Sequence, residues 1–375
     1  MPEQSSHKPD PRFIHQEHPS LDELLALMLQ VGASDLHLTV SVPPTIRVHG
    51  NLRRLAMPIL DTTAIKDMVF SGLSDIQVTK FEQQRELDFA YSVPELGRFR
   101  GNLFRQRGSI AAVFRMIPRQ MPTLSDLLMP NTVRELTSLP RGLVLVTGPT
   151  GVGKSTTLAA MLDEINATRN VHIMTIEEPI EFVHSNKMSI VNQREVGEDT
   201  DSFAAALRFV LRQDPDVIMV GEMRDLETIA TALTAAETGH LVLATLHTTS
   251  AAQSIERIID VFPPHQQNQV RNQLSNVLEG IITQTLLLSM NMLSRVCAME
   301  ILIGTSAIRN LIRENKIHQI PGVIQSSGKY GMQTLDESLK QLVVNGKVSL
   351  EEALRKASNR VDFQRIMKLE AGTRE

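Results

Sequence analysis

An α/β chain in two parts is what the 375-residue sequence predicts: a small α+β domain, then a domain built on a parallel sheet and closed by a helical tail. Three observations carry this expectation. Up to residue 117 the apolar residues fall in short alternating runs broken by proline and glycine. From residue 141 they gather in continuous apolar runs separated by helical stretches, and from 304 onward only helical patterning remains. A usual domain has about 100–200 residues, so this length calls for more than one.

Taken in order, residues 1–19 are polar and proline-spiked, lack the apolar stretch of a secretory signal, and read as a disordered start. Ser20-Leu21-Asp22-Glu23 is a capping box, opening a helix whose Leu21, Leu24, Leu25 and Met28 repeat at helical spacing. SDLHLTV, TIRVHG and NLRRL alternate as strands and are broken at Pro43-Pro44 and Gly50. Two helical stretches, 61–71 and 74–85, lead to the strand-like runs LDFAYSV, RFRGNLFRQRG and SIAAVFRMI, which complete an α+β domain over 20–117. Pro118 and Pro122 bracket a polar break, so 118–122 reads as a linker. In the second domain, 123–303, the runs GLVLVTG, VHIMTIEE, DVIMVGE and HLVLATLH are apolar throughout, as strands covered by helices on both faces must be. The helical region takes 304–375.

Composition narrows the function. The balance of 38 Lys+Arg against 42 Asp+Glu gives a net charge of -4, which opposes a broad field for nucleic acid. With no Trp and two Tyr, platforms for stacking bases are scarce as well, so no nucleic-acid partner is expected. The single cysteine, Cys297, lies in the apolar run RVCAMEILI and reads as a buried, inert thiol; it can form neither an intrachain disulfide nor a four-cysteine zinc site. No apolar stretch approaches the roughly 18 residues of a membrane span, so a soluble, cytoplasmic chain is expected.

The decisive motif is Gly148-Pro149-Thr150-Gly151-Val152-Gly153-Lys154-Ser155, followed by Thr156, between an apolar strand and a helix. Glycines let the backbone wrap so that its N–H groups and the helix N-terminus face the phosphates of ATP. Lys154 reaches the β- and γ-phosphates, and Ser155 offers a hydroxyl to Mg²⁺. Glu222 follows the strand Val217–Val220, at the edge where α/β sheets place ligands, and is the second candidate ligand for Mg²⁺. Glu177, Glu178 and Glu181 crowd together after another strand, where a cation or solvent must relieve their repulsion. His240 and His247 flank LVLATL; spacing alone leaves a structural role open for both.

GPTGVGKS, TIEEPIEF, VNQREVGEDTDSF, LRQDPDVIMVGEMRDLET and AAETGHLVLATLHTTSA stand in the order and spacing of the secretion-type hexameric ATPases, which the chain resembles from about residue 20 to at least 345. Within them it is most similar to the retraction ATPases of type IV pili, through RFRGNLFRQRG and AIRNLIRE. The resemblance implies a PAS-like first domain, a RecA-like P-loop ATPase domain and a helical tail. It also implies a homohexameric, Mg-dependent motor of twitching motility that couples ATP hydrolysis to domain rotation. Glu222 is then the acid acting on Mg²⁺ and its water, and Glu181 polarises the attacking water, with Glu178 in reserve. His240 and His247 form a box that senses the γ-phosphate. Arg98, Arg100 and Arg115 lie in the first-domain stretch from which the family brings arginines to the nucleotide, though a solvated strand face would also explain them; Arg257 matches another such arginine, and Arg309 and Arg313 lie in a segment tied to effector coupling. Implied partners are an inner-membrane platform protein, which would hold the ring at the cytoplasmic face, and a paralogous retraction ATPase. An accessory retraction paralogue and a non-hydrolysing regulatory subunit remain alternatives. Assembly-type relatives generally carry a four-cysteine zinc element, which one cysteine cannot build.

Overall fold

The computed structural model describes residues 18–48, 50–117, 121–291 and 294–372. The expected disordered start lies outside the described residues up to residue 17, and so do residues 118–120 of the expected linker. The chain divides into two compact units, Met1–Arg119 and Gln120–Glu375.

In the first unit, α1 (Leu21–Gln30) opens as its sequence dictates: Ser20 Oγ accepts from the Glu23 amide at 3.3 Å, and the Glu23 carboxylate accepts from the Ser20 amide at 2.8 Å. The strands β1 (Asp35–Leu38), β2 (Thr45–Val48) and β3 (Asn51–Arg54) precede α2 (Thr62–Phe70) and α3 (Asp75–Gln84). Then come β4 (Glu86–Val93), β5 (Gly97–Gln106) and β6 (Ser109–Met116), giving an antiparallel sheet in the order β3-β2-β1-β6-β5-β4. One face carries Leu36, Leu38, Phe99, Leu103 and Phe114, which join Leu24, Leu25, Ile65 and Phe81 of the helices in a single core. The alternation visible in the sequence is this division between faces.

The second unit runs α4 (Asn131–Thr137), β7 (Gly142–Thr147), α5 (Lys154–Thr168), β8 (His172–Glu177), β9 (Ile190–Glu195), α6 (Phe203–Val210), β10 (Val217–Val220), α7 (Leu226–Glu237) and β11 (Leu241–Leu246). It continues with α8 (Ala251–Asp260), α9 (Pro264–Val277), β12 (Leu278–Leu288) and β13 (Arg295–Ile303). Among the described residues five α-helices follow β13: α10 (Ser306–Arg313), α11 (Ile320–Ser326), α12 (Leu335–Val344), α13 (Leu350–Lys356) and α14 (Arg360–Gly372). The sheet order is β13-β12-β7-β11-β10-β8-β9, parallel except for the β12–β13 pair. Leu143, Leu145, Ile218, Val220 and Val242 pack on one side with α6–α10, whereas Val144, Val146, Val217, Met219 and Leu243 pack on the other with α4 and α5. Because both faces are buried, these strands read as unbroken apolar runs.

Three strands go beyond the four the sequence reading assigned to this sheet. Edge strand β9 is the polar run IVNQRE, half exposed and without an apolar pattern. Strands β12 and β13 fall in oily stretches where a buried strand and a buried helix look alike. Burial pushes the Cys297 thiol up to about 12, in keeping with an inert group.

Arg309 has a structural task. Its guanidinium donates to the carbonyls of Gly304 at 2.7 Å and Ser275 at 3.0 Å, and to Glu279 Oε1 at 2.8 Å. It thereby satisfies the C-terminal end of α9 and fixes α10 against it.

Candidate nucleotide site

The site is built at the C-terminal edge of the parallel strands of the second unit, where β7, β10 and β11 deliver their following loops side by side. The phosphate loop depends on glycine at two points in particular. At Gly148, with φ 138°, a Cβ would stand 2.6 Å from the Gln284 carbonyl and 2.8 Å from Val152 Cγ2. Gly153, at φ 89°, is the left-handed residue from which α5 starts at Lys154. The loop is braced by β12: Thr283 bonds Thr147 at 2.8 Å, and Gln284 Nε2 donates to Thr157 Oγ1 at 2.7 Å.

Lys154 is 9% exposed, and its ammonium donates to the carbonyls of Gly148 at 2.8 Å and Pro149 at 3.1 Å. Burial lowers its pKa, and the carboxylates of Glu222 and Glu181 work against that shift. Glu222 sits beyond β10 and Gly221. Its Oε1 accepts from Arg224 Nε at 2.6 Å and faces His247 Nε2 at 3.1 Å. Burial pushes this carboxyl up, but the bonds from Arg224 and His247 outweigh it and hold the group below the ordinary range. His247, directly after β11, also places Nδ1 3.4 Å from Thr150 Oγ1 and 3.5 Å from Lys154 Nζ. One imidazole therefore spans the phosphate loop and the carboxylate at the end of β10. Thr245 Oγ1 donates to the Gly221 carbonyl, and the Met223 amide donates to the Thr245 carbonyl at 3.1 Å, which locks the two strand ends together.

The acidic cluster after β8 is divided by burial. Glu177, 7% exposed, turns inward and accepts from Thr175 Oγ1 at 2.6 Å, from Gln193 Nε2 at 2.9 Å and from the Glu181 amide. Burial pushes its carboxyl up. Glu178 and Glu181 are exposed; the field of Glu181 reaches Lys154, and that of Glu178 reaches Arg224. The crowding read from sequence is thus eased in part by turning one carboxylate inward among hydrogen-bond donors, while the charge of Glu181 still raises the Glu177 carboxyl.

The remaining predicted residues stand elsewhere. His240 precedes β11, at the opposite edge of the sheet from His247, a separation of about 20 Å for six strand residues at ~3.3 Å each. Its Nδ1 lies 2.9 Å from the Ala235 carbonyl, closing the end of α7. Within one chain, therefore, the strand carries the two histidines to opposite edges of the sheet. Arg257 is exposed on α8. On the first unit's sheet Arg100 and Arg115 are cross-strand neighbours, and Arg115 Nε donates to the buried Asp35 at 2.7 Å, with Arg47 at 3.6 Å on its other oxygen. Arg98 lies half-buried on the same strand as Arg100. Arg115 is therefore already engaged within its own sheet. Arg224, a cation two residues after a candidate acid, and Gln193, one position of the run VNQREVGEDTDSF, are functional candidates that the sequence reading did not single out.

The family described as type II/IV secretion system protein matches residues 17–292. The chain belongs to this family. Among its relatives, the "Type IV pilus retractation ATPase PilT" of Pseudomonas aeruginosa is 54% identical over 90% of this chain and 98% of its own length. A "Twitching motility protein" of Neisseria gonorrhoeae is 52% identical over 84% of each chain, and the "Type IV pilus ATPase PilU" of P. aeruginosa is 41% identical over 93% of this chain and 91% of its own. A crystal structure of the pilus retraction motor PilT with bound ADP superposes with a TM-score of 0.87 at 48% identity, covering 92% of this chain and 99% of that one. As a member of the type II/IV secretion family, the chain has its RecA-like ATPase fold with a helical C-terminal region. Among the described residues no helix is long and apolar enough to cross a membrane.

Proposed function

We propose that this chain is a Mg-dependent ATPase that powers retraction of type IV pili and thereby twitching motility. The observation that carries the reading is the meeting of Lys154, Glu222 and His247 within 3.5 Å contacts at the sheet edge. It occurs in a chain 54% identical to a pilus retraction ATPase over nearly the whole length of both. A non-hydrolysing regulator has no use for an ionised carboxylate held beside the phosphate loop. The accessory paralogue is the weaker reading, since PilU is the more distant of the two P. aeruginosa relatives at 41% identity.

The residues suit ATP and Mg²⁺. Among the described residues no group of three His, Cys, Asp or Glu could enclose a metal. A hydroxyl at Ser155 and a carboxylate at Glu222 are instead the sparse, hard oxygen set that suits Mg²⁺ shared with phosphates. When bound, the ion would neutralise phosphate charge. Ser155 and Glu222 would hold it, Gly148–Thr156 would wrap the phosphates, and Lys154 would leave its two carbonyl partners for phosphate oxygens. Glu181, with Glu178 in reserve, would orient the attacking water, and His247 would report the terminal phosphate to β10 through Glu222. Arg98, Arg100, Arg115 and Arg257, and His240 in contact with a neighbouring subunit, complete the proposal for a homohexamer that turns hydrolysis into domain rotation. In it the first domain spans 20–117, the linker 118–122, the ATPase domain 123–303 and the helical region 304–375. The ring would work at the cytoplasmic face of the inner membrane against a platform protein, with a paralogous ATPase as a second partner.

Deletion in the source organism with imaging of pili tests the reading. Long, unretracted pili and lost twitching are expected; bald cells would assign the chain to assembly instead.

A further inference from the structure

Residues 178–189 join two parallel neighbours, β8 and β9, with no helix between them. A parallel crossover is usually helical, and a helix satisfies its own backbone; this loop must find partners among side chains. The register pairs Thr175 with Gln193 and Glu177 with Glu195, so both β9 side chains stand on one face, beside Glu177. Gln193 Nε2 donates to Glu177 Oε1 at 2.9 Å and to the Phe182 carbonyl at 2.8 Å, while its Oε1 accepts from the His184 amide at 2.8 Å. Glu195 accepts from the Ile180 amide at 3.2 Å. Further along, Asn166 on α5 donates to the Ser185 carbonyl at 2.7 Å and accepts from the Lys187 amide at 3.1 Å, and Lys187 pairs with Asp163 at 2.6 Å. Glu178 and Glu181 fall between points that Gln193 holds on either side, Glu177 before them and Phe182 after.

We infer that Gln193 is a positioning residue for ATP hydrolysis: it fixes where the exposed carboxylates of Glu178 and Glu181 stand relative to the phosphate loop, without itself touching nucleotide. This rests on the reading above that the loop supplies the carboxylate that orients water. Gln193 spends both ends of its amide on the loop, so an apolar residue of equal length releases three bonds at once. A carboxylate displaced by about 1 Å from a reacting water can cost on the order of 100-fold in rate.

The test uses the full chain with Mg-ATP and the variants Gln193→Met, Glu181→Gln, Glu178→Gln and the doubles of Gln193→Met with each glutamine. Gln193→Met is expected to lower kcat by roughly 10- to 100-fold while KM for ATP and affinity for ADP stay within about twofold. Amide exchange in 178–189 should quicken, and the double variant with whichever glutamine is inactive should lose little beyond that single change, because the two act as a unit. Should Gln193→Met fail to fold, Gln193→Asn keeps a neutral amide that is one methylene too short to span Glu177, Phe182 and His184, and should show the same division between kcat and KM. A kcat within about threefold of wild type, a parallel fall of kcat and ADP affinity, or fully multiplicative losses in the doubles would overturn the inference. If neither Glu178→Gln nor Glu181→Gln lowers kcat, the role of the loop itself fails and the inference falls with it. If one of them does and Gln193→Met does not, only the inference fails.

Discussion

Two loops reach the same edge of one sheet and are built in opposite ways. The phosphate loop after β7 takes most of its shape from its own backbone, with β12 bracing the residues on either side: Gly148, Gly151 and Gly153 have positive φ, and Lys154 folds onto carbonyls of its own loop. The loop after β8 has little shape of its own and is held from outside, by Gln193 and Glu195 on β9 and by Asn166 on α5. The loop after β8 can be repositioned by anything that moves β9 or α5, which would suit the role proposed for its carboxylates.

The contrast can be broken from either side. Lys154→Ala should have the largest effect, lowering ATP turnover by about 1000-fold or more, because the ammonium that compensates phosphate charge in a buried site is lost; steady-state phosphate release measures it. Gly148→Ala should follow, weakening ADP binding by roughly 10- to 100-fold, since a Cβ meets a backbone carbonyl that cannot move aside; calorimetric titration is the check. Asn166→Ala should damage the second loop while sparing the first: a loss of about 1–3 kcal/mol in stability from the unpaired Ser185 carbonyl and Lys187 amide, with ADP affinity unchanged. A fall in ADP affinity there would mean the two loops are not separable. The smallest effect belongs to Arg224→Ala. Arg224 helps to hold the Glu222 carboxyl below its ordinary range, so without it the proton is kept to higher pH. The acid limb of the kcat profile should therefore move toward neutrality, with the plateau at alkaline pH little changed.

How much of this was legible in the sequence follows the same contrast. The phosphate loop could be read because its geometry is local, with each glycine and the lysine at a fixed offset. The capping box at Ser20 and Glu23, and the strand ends at Glu222 and His247, were legible for the same reason. What escaped depends on neighbours distant in the chain. Gln193 lies in a polar run with no apolar alternation, and its role exists only because β9 pairs with β8 in one register. Glu177 could not be told from Glu178 until burial turned one inward and left the other out. His240 and His247 look like a pair in one dimension, but a strand between them carries each to an opposite edge of the sheet. Arg309, placed by resemblance in a segment tied to effector coupling, caps a helix that ends more than thirty positions earlier.

The central claim is that an ionised carboxylate at the end of β10 works with the phosphate loop in hydrolysis, and Glu222→Gln tests it most directly. The amide can still accept from Arg224 and His247, so the fold and the nucleotide pocket should survive. The account predicts ADP binding within about twofold of wild type and Mg-dependent ATP turnover reduced by roughly 100-fold or more. Turnover within about threefold of wild type, with ADP still bound, would contradict it.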